Sequence, residues 1–531
     1  MYKKIFLVII ISIFTMVLTS CSQEEKNSVQ ELSEKSESIE EKPIDYKIDQ
    51  IVLSKGFQIT DTNVDIIEKG TNLKLLVTAG VVESSGVDVD RITMTGNTLN
   101  IYLTRKMEED KVQLAVPQIT LEINTDLNSH PEDINFNIIA NNYEPISLKF
   151  NKNQIIDRIC TELKIEPTTV PKATLYKADN NILWNVYFPY QLDKENIQSP
   201  LFNLNVEANA ATGEILDKEK VNVSTYLDHG HILDYMPNEL LVYKQENIEN
   251  GIPHESLWTY SLKNDTKKKL YTTKHTIKSS LISPDGKYIS LIESDESKSD
   301  VFLIDRAENL TIKITPTNNL HGKLMKWKDK NSLYLVDVNN DKSTLYLYNV
   351  SKKAFNIVMH LDKIVESFDV LGDKIIFTEH DEYLINKNIY LVEKDDKLNL
   401  IGKGFKPILF DDKHIIYLEN LEEKNLNRLQ VYNIEKNAIT DTFSCNILDF
   451  YRLDDNNLLF IENLNLNNQF NFGKYNVKYK SSTAISQINS NKLYYNQKEN
   501  KAYISLTIPT KEKNVYNIYS IDLSKVNSNT N

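Results

Sequence analysis

Asp228, His229 and His231 are the chain's nearest approach to a metal-binding cluster. On a strand, residues two apart face the same side, so both imidazoles would be available to one ion with the carboxylate beside them. The same three residues serve equally well as a polar lead into a strand. His254-Glu255 opens like a zinc-protease motif, but no second histidine follows four residues after the first, so two ligands cannot share one helical face. Asp337-Val338-Asn339-Asn340-Asp341 is rich in calcium-type oxygens yet lacks the glycine and terminal glutamate of an EF-hand loop, and reads as a hairpin turn. The acid pairs Asp411-Asp412 and Asp454-Asp455 invite comparison with glycosidase carboxylates. Both fall at turns, where Asp satisfies local backbone groups. There is no Gly-x-Ser-x-Gly elbow, Gly-rich phosphate loop or dinucleotide fingerprint. No catalytic residue, no bound metal and no cofactor is therefore expected.

The elements that would hold these residues form a repeat. Short apolar strands start at Leu240, Ile289, Leu333, Ile375, Ile415, Leu458 and Tyr503, spaced 40 to 49 residues apart. A second strand follows each, at Leu257, Val301, Leu345, Ile389, Leu429, Phe472 and Ile518. Seven units of four-strand length predict a seven-bladed β-propeller over 218–531. Ser283-Pro284-Asp285-Gly286-Lys287 matches the signature of TolB-like propeller blades, so this region resembles that family. The resemblance covers about 300 residues and implies fold only. Six units have a further strand-like segment, such as Leu310–Thr317 or Ala354–Leu361, and the seventh has none. Val221–Tyr226 alternates like a strand and is expected to supply the missing outer strand, latching the two ends of the propeller and holding the preceding domain at its rim.

Two smaller regions precede the repeat. Over 48–150 the segments Lys74–Gly80, Asp90–Thr104 and Val112–Asn124 alternate with period two around tight turns, which predicts an antiparallel β domain. The stretch from Ala79-Gly80 to Gly86-Val87, with the following hairpin and Ala115-Val116-Pro117, resembles the C-terminal domain of PrcB-type protease-complex subunits. Over 151–217, Ile155, Ile156, Ile159 and Leu163 recur at helical spacing, with Asn151 or Asn153 available as a cap. A hairpin carrying Trp184 follows, closed by a turn containing Val206, Ala208, Thr212, Gly213, Glu214 and Ile215. This small α+β domain resembles a PepSY domain, with one residue more than the commonest spacing of that turn. The resemblance implies protein contact or protease modulation rather than catalysis.

The N-terminus sets the compartment. Lys3 and Lys4 precede an apolar run from Ile5 to Phe14, too short to span a bilayer stably and placed like the core of a secretory signal. Leu18-Thr19-Ser20-Cys21 then resembles a bacterial lipobox, which implies cleavage after residue 20 and a diacylglyceryl group on Cys21. An ordinary signal peptide ending near a cysteine is the other reading. Two acyl chains anchor firmly, so 21–47, acidic and poor in apolar residues, is expected to tether the folded part to a membrane. Extended, such a segment reaches about 80 Å.

The formal net charge of −13 argues against nucleic acid as a partner. Scarce glycine and abundant Lys, Asn and Ile suggest an AT-rich genome, as in a low-GC Gram-positive bacterium, and hence the outer face of its cytoplasmic membrane. Cys160 and Cys445 are expected as free buried thiols in different domains. The reading is a mainly β, non-enzymatic surface lipoprotein, attached to the membrane through lipid on Cys21 and binding a protein partner or an envelope ligand. Its rivals are an extracellular polysaccharide hydrolase or lyase using the propeller funnel, and an accessory or inhibitory subunit of a secreted protease.

Overall fold

In a computed structural model, the chain is described over residues 41–526 apart from 70–71, 125–133, 168, 180, 296–297, 317–323, 340, 393–396, 425, 465–469, 489 and 510–513. Leu18, Thr19, Ser20, Cys21 and the tether up to residue 40 lie outside the described residues. Folded structure begins earlier than the expected boundary at Ile48. Lys42–Pro43 pairs with Thr93 and Met94, the Ile44 amide donates to Ile92 O at 2.9 Å, and the Glu41 carboxylate accepts from the hydroxyls of Thr93 (2.5 Å) and Tyr102 (2.7 Å). Edge pairing orders this segment, together with Ile44 and Tyr46, which pack on the apolar core of the first region.

Two sheets follow. One joins Lys42–Pro43, Gly86–Thr95, Thr98–Lys106 and Asn135–Ala140; the other joins Tyr46–Ser54, Gln113–Asn124, Asn72–Ala79 and Thr62–Lys69. Thr98–Lys106 pairs parallel with Asn135–Ala140, so the expected antiparallel domain contains one parallel edge. Alternate residues of both sheets, including Leu75, Val77, Ile101, Leu103, Ile119 and Leu121, make the core.

The only α-helix among the described residues, α1 (Lys152–Leu163), has the expected apolar face, with Ile155 and Ile159 fully buried. Asn151 caps it in a full capping box with Gln154. The helix packs on an antiparallel sheet of Lys172–Ala178, Asn181–Leu192, Leu201–Asn209 and Ile215–Asn222. Trp184 lies in that core and donates its indole N–H to Phe150 O at 3.1 Å. Gly213 closes the turn at φ +72°, and a Cβ there would meet the Phe150 ring at 2.6 Å, so glycine is required on both counts.

The expected division at residue 150 does not separate two cores. Phe57, Val81, Leu114 and Val116 of the first region belong to the same apolar cluster as Ile155, Ile159 and Trp184, and Phe57 meets Trp184 edge-on at 5.9 Å. The boundary expected at 217 falls inside the strand Ile215–Asn222.

From Ser224 onward the chain forms successive antiparallel sheets that close into a ring. Four-stranded sheets run over His231–Thr273, Thr276–Lys313, Leu324–Leu361 and Ile447–Ile488, and a seven-stranded sheet runs over Val365–Phe443. In that larger sheet the long strand Leu398–Leu409 pairs first with Lys387–Val392 and then with His414–Leu421. The last sheet joins Leu493–Asn496, Lys501–Pro509, Asn514–Asp522 and the early strand Ser224–His229. Neighbouring sheets bury their own apolar clusters, for example Val242, Leu291 and Ile304 between the first two. The last sheet packs on the first through Tyr243, Tyr503 and Ile518. Closure by an N-terminal strand is as expected, but the strand is shifted. Val221 and Asn222 remain in the preceding sheet, Val223 is buried between, and Ser224↔Ile521 through His229↔Asn517 form the closing ladder.

Cys160 and Cys445 are both free and half-buried. Burial raises both thiols, that of Cys445 to about 12. They lie in the helix-bearing unit and in the ring respectively.

Candidate functional site

The closing strand ends at His229 and the first ring sheet begins at His231, with Gly230 between them at φ +126°. A Cβ on Gly230 would lie 2.2 Å from Lys244 O, so the two sheets touch backbone to backbone here. The Gly230 amide donates to Tyr516 O at 2.7 Å. His229 pairs with Asn517 in the last sheet, and His231 with Lys244 in the first. The expected single strand with two histidines on one side is therefore replaced by a break between sheets, because ring closure must occur at this point.

Asp228 is engaged chiefly with the first sheet. It is buried, accepts from the Tyr243 hydroxyl at 2.5 Å and Gln245 Nε2 at 3.2 Å, and lies 3.3 Å from Lys267 Nζ. Burial, followed by the bond to Asp228, raises the Tyr243 hydroxyl far above its ordinary value. His229 Nδ1 lies 3.3 Å from the other Asp228 oxygen. This is a packed polar network, not a ligand set. Among the described residues no three His, Cys, Asp or Glu side chains are grouped to hold a metal.

His229 and His231 nevertheless line one cleft of about 620 Å³ where the last sheet of the ring meets the first. His254 and His275 reach it from the neighbouring hairpin and loop, so four of the chain's nine histidines line this space. His254 sits on the strand Ile252–Ser261 rather than a helix, with Nδ1 2.9 Å from Ile252 O. The His231 ring packs on Tyr516 at 4.0 Å, and burial lowers its pKa from the ordinary imidazole value. Glu255 is committed: it accepts from Lys244 Nζ at 3.0 Å and from the Ile277 amide at 2.6 Å. Ile248, 75 % exposed, adds apolar surface at the edge. The cleft offers imidazole, aliphatic and phenol surface with no nucleophile held by a base.

A second charged set was not legible in the sequence. The first strands of the ring sheets present Asp234, Lys326, Asp369, Lys406 and Asp449, and Lys492 stands just before the first strand of the last sheet. Lys326 pairs with Asp369 at 2.8 Å and Lys406 with Asp449 at 3.0 Å. Asp234 accepts the Ile282 amide at 2.7 Å and Asp369 the Leu409 amide at 2.9 Å, each from the next first strand. Burial raises the Asp234 carboxyl and lowers Lys492, with Asp449 and Asp234 acting against the latter shift. Asp234, Lys326, Asp369, Lys406 and Asp449 thus staple successive strands together. Other charges stand on the same strands, so the set was unreadable without knowing which strand is innermost.

The remaining motifs are turns. Asn339↔Lys342 closes the hairpin around the supposed calcium segment. Asp411 accepts the amides of Lys413 (2.7 Å) and His414 (2.8 Å), and Asp454 those of Asn456 and Asn457 (both 2.9 Å).

No family model matches the chain, and no curated protein sequence matches it. Among solved structures it is similar to an oligogalacturonate lyase in complex with manganese (9% identity, TM-score 0.44, covering 60% of this chain and 96% of that one). The β-propeller domain of the Trilobed protease from Pyrococcus furiosus is another (15%, TM-score 0.41, 55% and 93%). TolB from Acinetobacter baumannii is a third (12%, TM-score 0.33, 65% and 86%). Lyase and protease describe those proteins.

Proposed function

We propose that this chain is a non-enzymatic lipoprotein of the cell surface. It is anchored through Cys21 on the outer face of the cytoplasmic membrane and binds a protein partner through the histidine cleft of a seven-bladed, TolB-like propeller. The blade count takes the seven-stranded sheet as two blades sharing Leu398–Leu409. The PepSY-like unit at 151–222 rides on the ring: Tyr190 and Leu201 pack into the cluster of the last two blades, and the Tyr519 hydroxyl donates to Ile197 O at 3.0 Å.

The observation that carries this reading is the contrast within the ring. The carboxylates of the first strands are bound to lysines and amides, whereas the histidine cleft stays open and bears exposed Ile248, with exposed Ile252 nearby on the same hairpin. Ile248→Asp and Ile252→Asp together should abolish crosslinking of the native partner in membranes while leaving the protein anchored, and Cys21→Ala should release it from them. Turnover of a peptide, ester or glycan substrate by purified protein, lost in His231→Ala, would overturn the reading in favour of the hydrolase or lyase alternative.

A further inference from the structure

The helix-bearing sheet turns one face to α1 and leaves the other open. On the open face Asn205 stands directly opposite Tyr187 in the neighbouring strand, with Asn203 two residues along. The Tyr187 hydroxyl, Asn205 Oδ1 and Asn203 Nδ2 are buried and have no hydrogen-bond partner among the described residues. Asn203 is itself 3 % exposed, and its Oδ1 already accepts the Tyr190 amide at 3.0 Å. Unpaired buried polar atoms are rare, and here three share one sheet face.

Tyr187 and Asn205 line a groove of about 580 Å³ whose long wall is the strand Lys172–Ala178. That strand is the last in its sheet, so one row of its amides and carbonyls has no ladder partner among the described residues. The facing wall is Val112 to Leu114 of the first region. The core shared through Phe57 and Trp184 holds the two walls in fixed relation. Lys177 binds Glu83 across one end at 2.7 Å, and Glu83 is the only acid in the lining. Lys55 and Lys172 are exposed, with no ion pair among the described residues. A net positive groove in a chain of charge −13 selects for an anionic occupant.

We propose that this groove binds an extended acidic segment of a partner protein, added as a strand to the free edge of Lys172–Ala178. The backbone of the segment would bond the edge, its acidic side chains would meet Lys55 and Lys172, and its polar groups would satisfy Tyr187 and Asn205. This rests on the reading of the chain as a binding protein and names a second, separate contact.

Short random peptides displayed on phage and selected on the full chain test it. Selected sequences should carry Asp or Glu at alternate positions, and Lys55→Glu with Lys172→Glu, both at exposed sites, should cut their enrichment about tenfold without changing the melting temperature. In the best peptide, methylating one alternating set of backbone amides should weaken binding about tenfold while the other set tolerates it. The amides of Lys172–Ala178 should exchange more slowly in the complex. No enrichment over the unselected library, equal enrichment on the charge-reversed variant, tolerance of methylation at both sets, or displacement by an acidic oligosaccharide would each overturn the proposal. If the Ile248-dependent partner is still captured while no peptide is selected, the groove proposal falls and the binding reading stands.

Discussion

Two regions of the ring gather titratable groups to opposite ends. Along the first strands each acid meets a base or an amide of the next strand, and the charges are consumed in holding the ring together. In the cleft, four histidines line one space and meet only neighbours such as Asp228, Ile252 O and Tyr516, and the surface stays open. A density of titratable groups therefore marks a binding site only where local partners have not already used them. Buried ion pairs are costly to break singly because the remaining charge has nowhere to go.

The largest effect should come from the closing strand. A chain beginning at Ile232 should melt about 10 °C below one beginning at Ser224, as loss of several kcal/mol predicts for a domain of this size; equal melting temperatures would show that Ser224–His229 does not latch the ring. Next is the staple at Asp369, which is 7 % exposed. Asp369→Ala removes the acceptor of the Leu409 amide and the partner of Lys326, and should cost about 3 kcal/mol by denaturant unfolding. His231→Ala in the cleft should cost far less. A result in which both cost the same would erase the distinction between stapled and open charge.

The pH dependence of the cleft is smaller and has a fixed sign. Burial lowers the pKa of His231 in the folded chain, so the unfolded chain binds a proton first as pH falls. Its contribution is complete above about 6.5, the free-imidazole value, and is lost as pH drops from there toward the folded pKa. His231→Gln should flatten the decline in melting temperature between neutral and mildly acid pH; an unchanged slope would mean that His231 does not titrate as a half-buried group. The smallest effect on stability belongs to Ile248→Asp, within about 0.5 kcal/mol because the side chain is already in water, although it should weaken partner binding strongly.

Much of the ring was legible because its blades repeat. Apolar strands at near-constant spacing can bury their faces only against neighbours like themselves, and the structure puts these strands in successive sheets, although the expected fourth and fifth units share one seven-stranded sheet. The capping Asn151, the core Trp184 and the turn acids Asp411 and Asp454 were equally legible, since each acts on backbone or core within a few residues. The closing strand was anticipated but misplaced by a few residues, because Val221 and Ser224 alternate alike and only pairing with Ile521 distinguishes them. The boundary at residue 150 misled for a related reason: nothing local tells Phe57 that its partner is Trp184.

Period-two alternation, the repeat and the one amphipathic helix were determined by the sequence alone, since they depend on contacts between near neighbours and on which face of an element is apolar. The histidine cleft, the staples at Asp234 and Asp369, and the groove beside Lys172–Ala178 were decided only in the tertiary structure. Each joins residues tens to hundreds of positions apart. His231 and Tyr516 meet because the ring closes between them, and no local preference of either residue encodes that meeting.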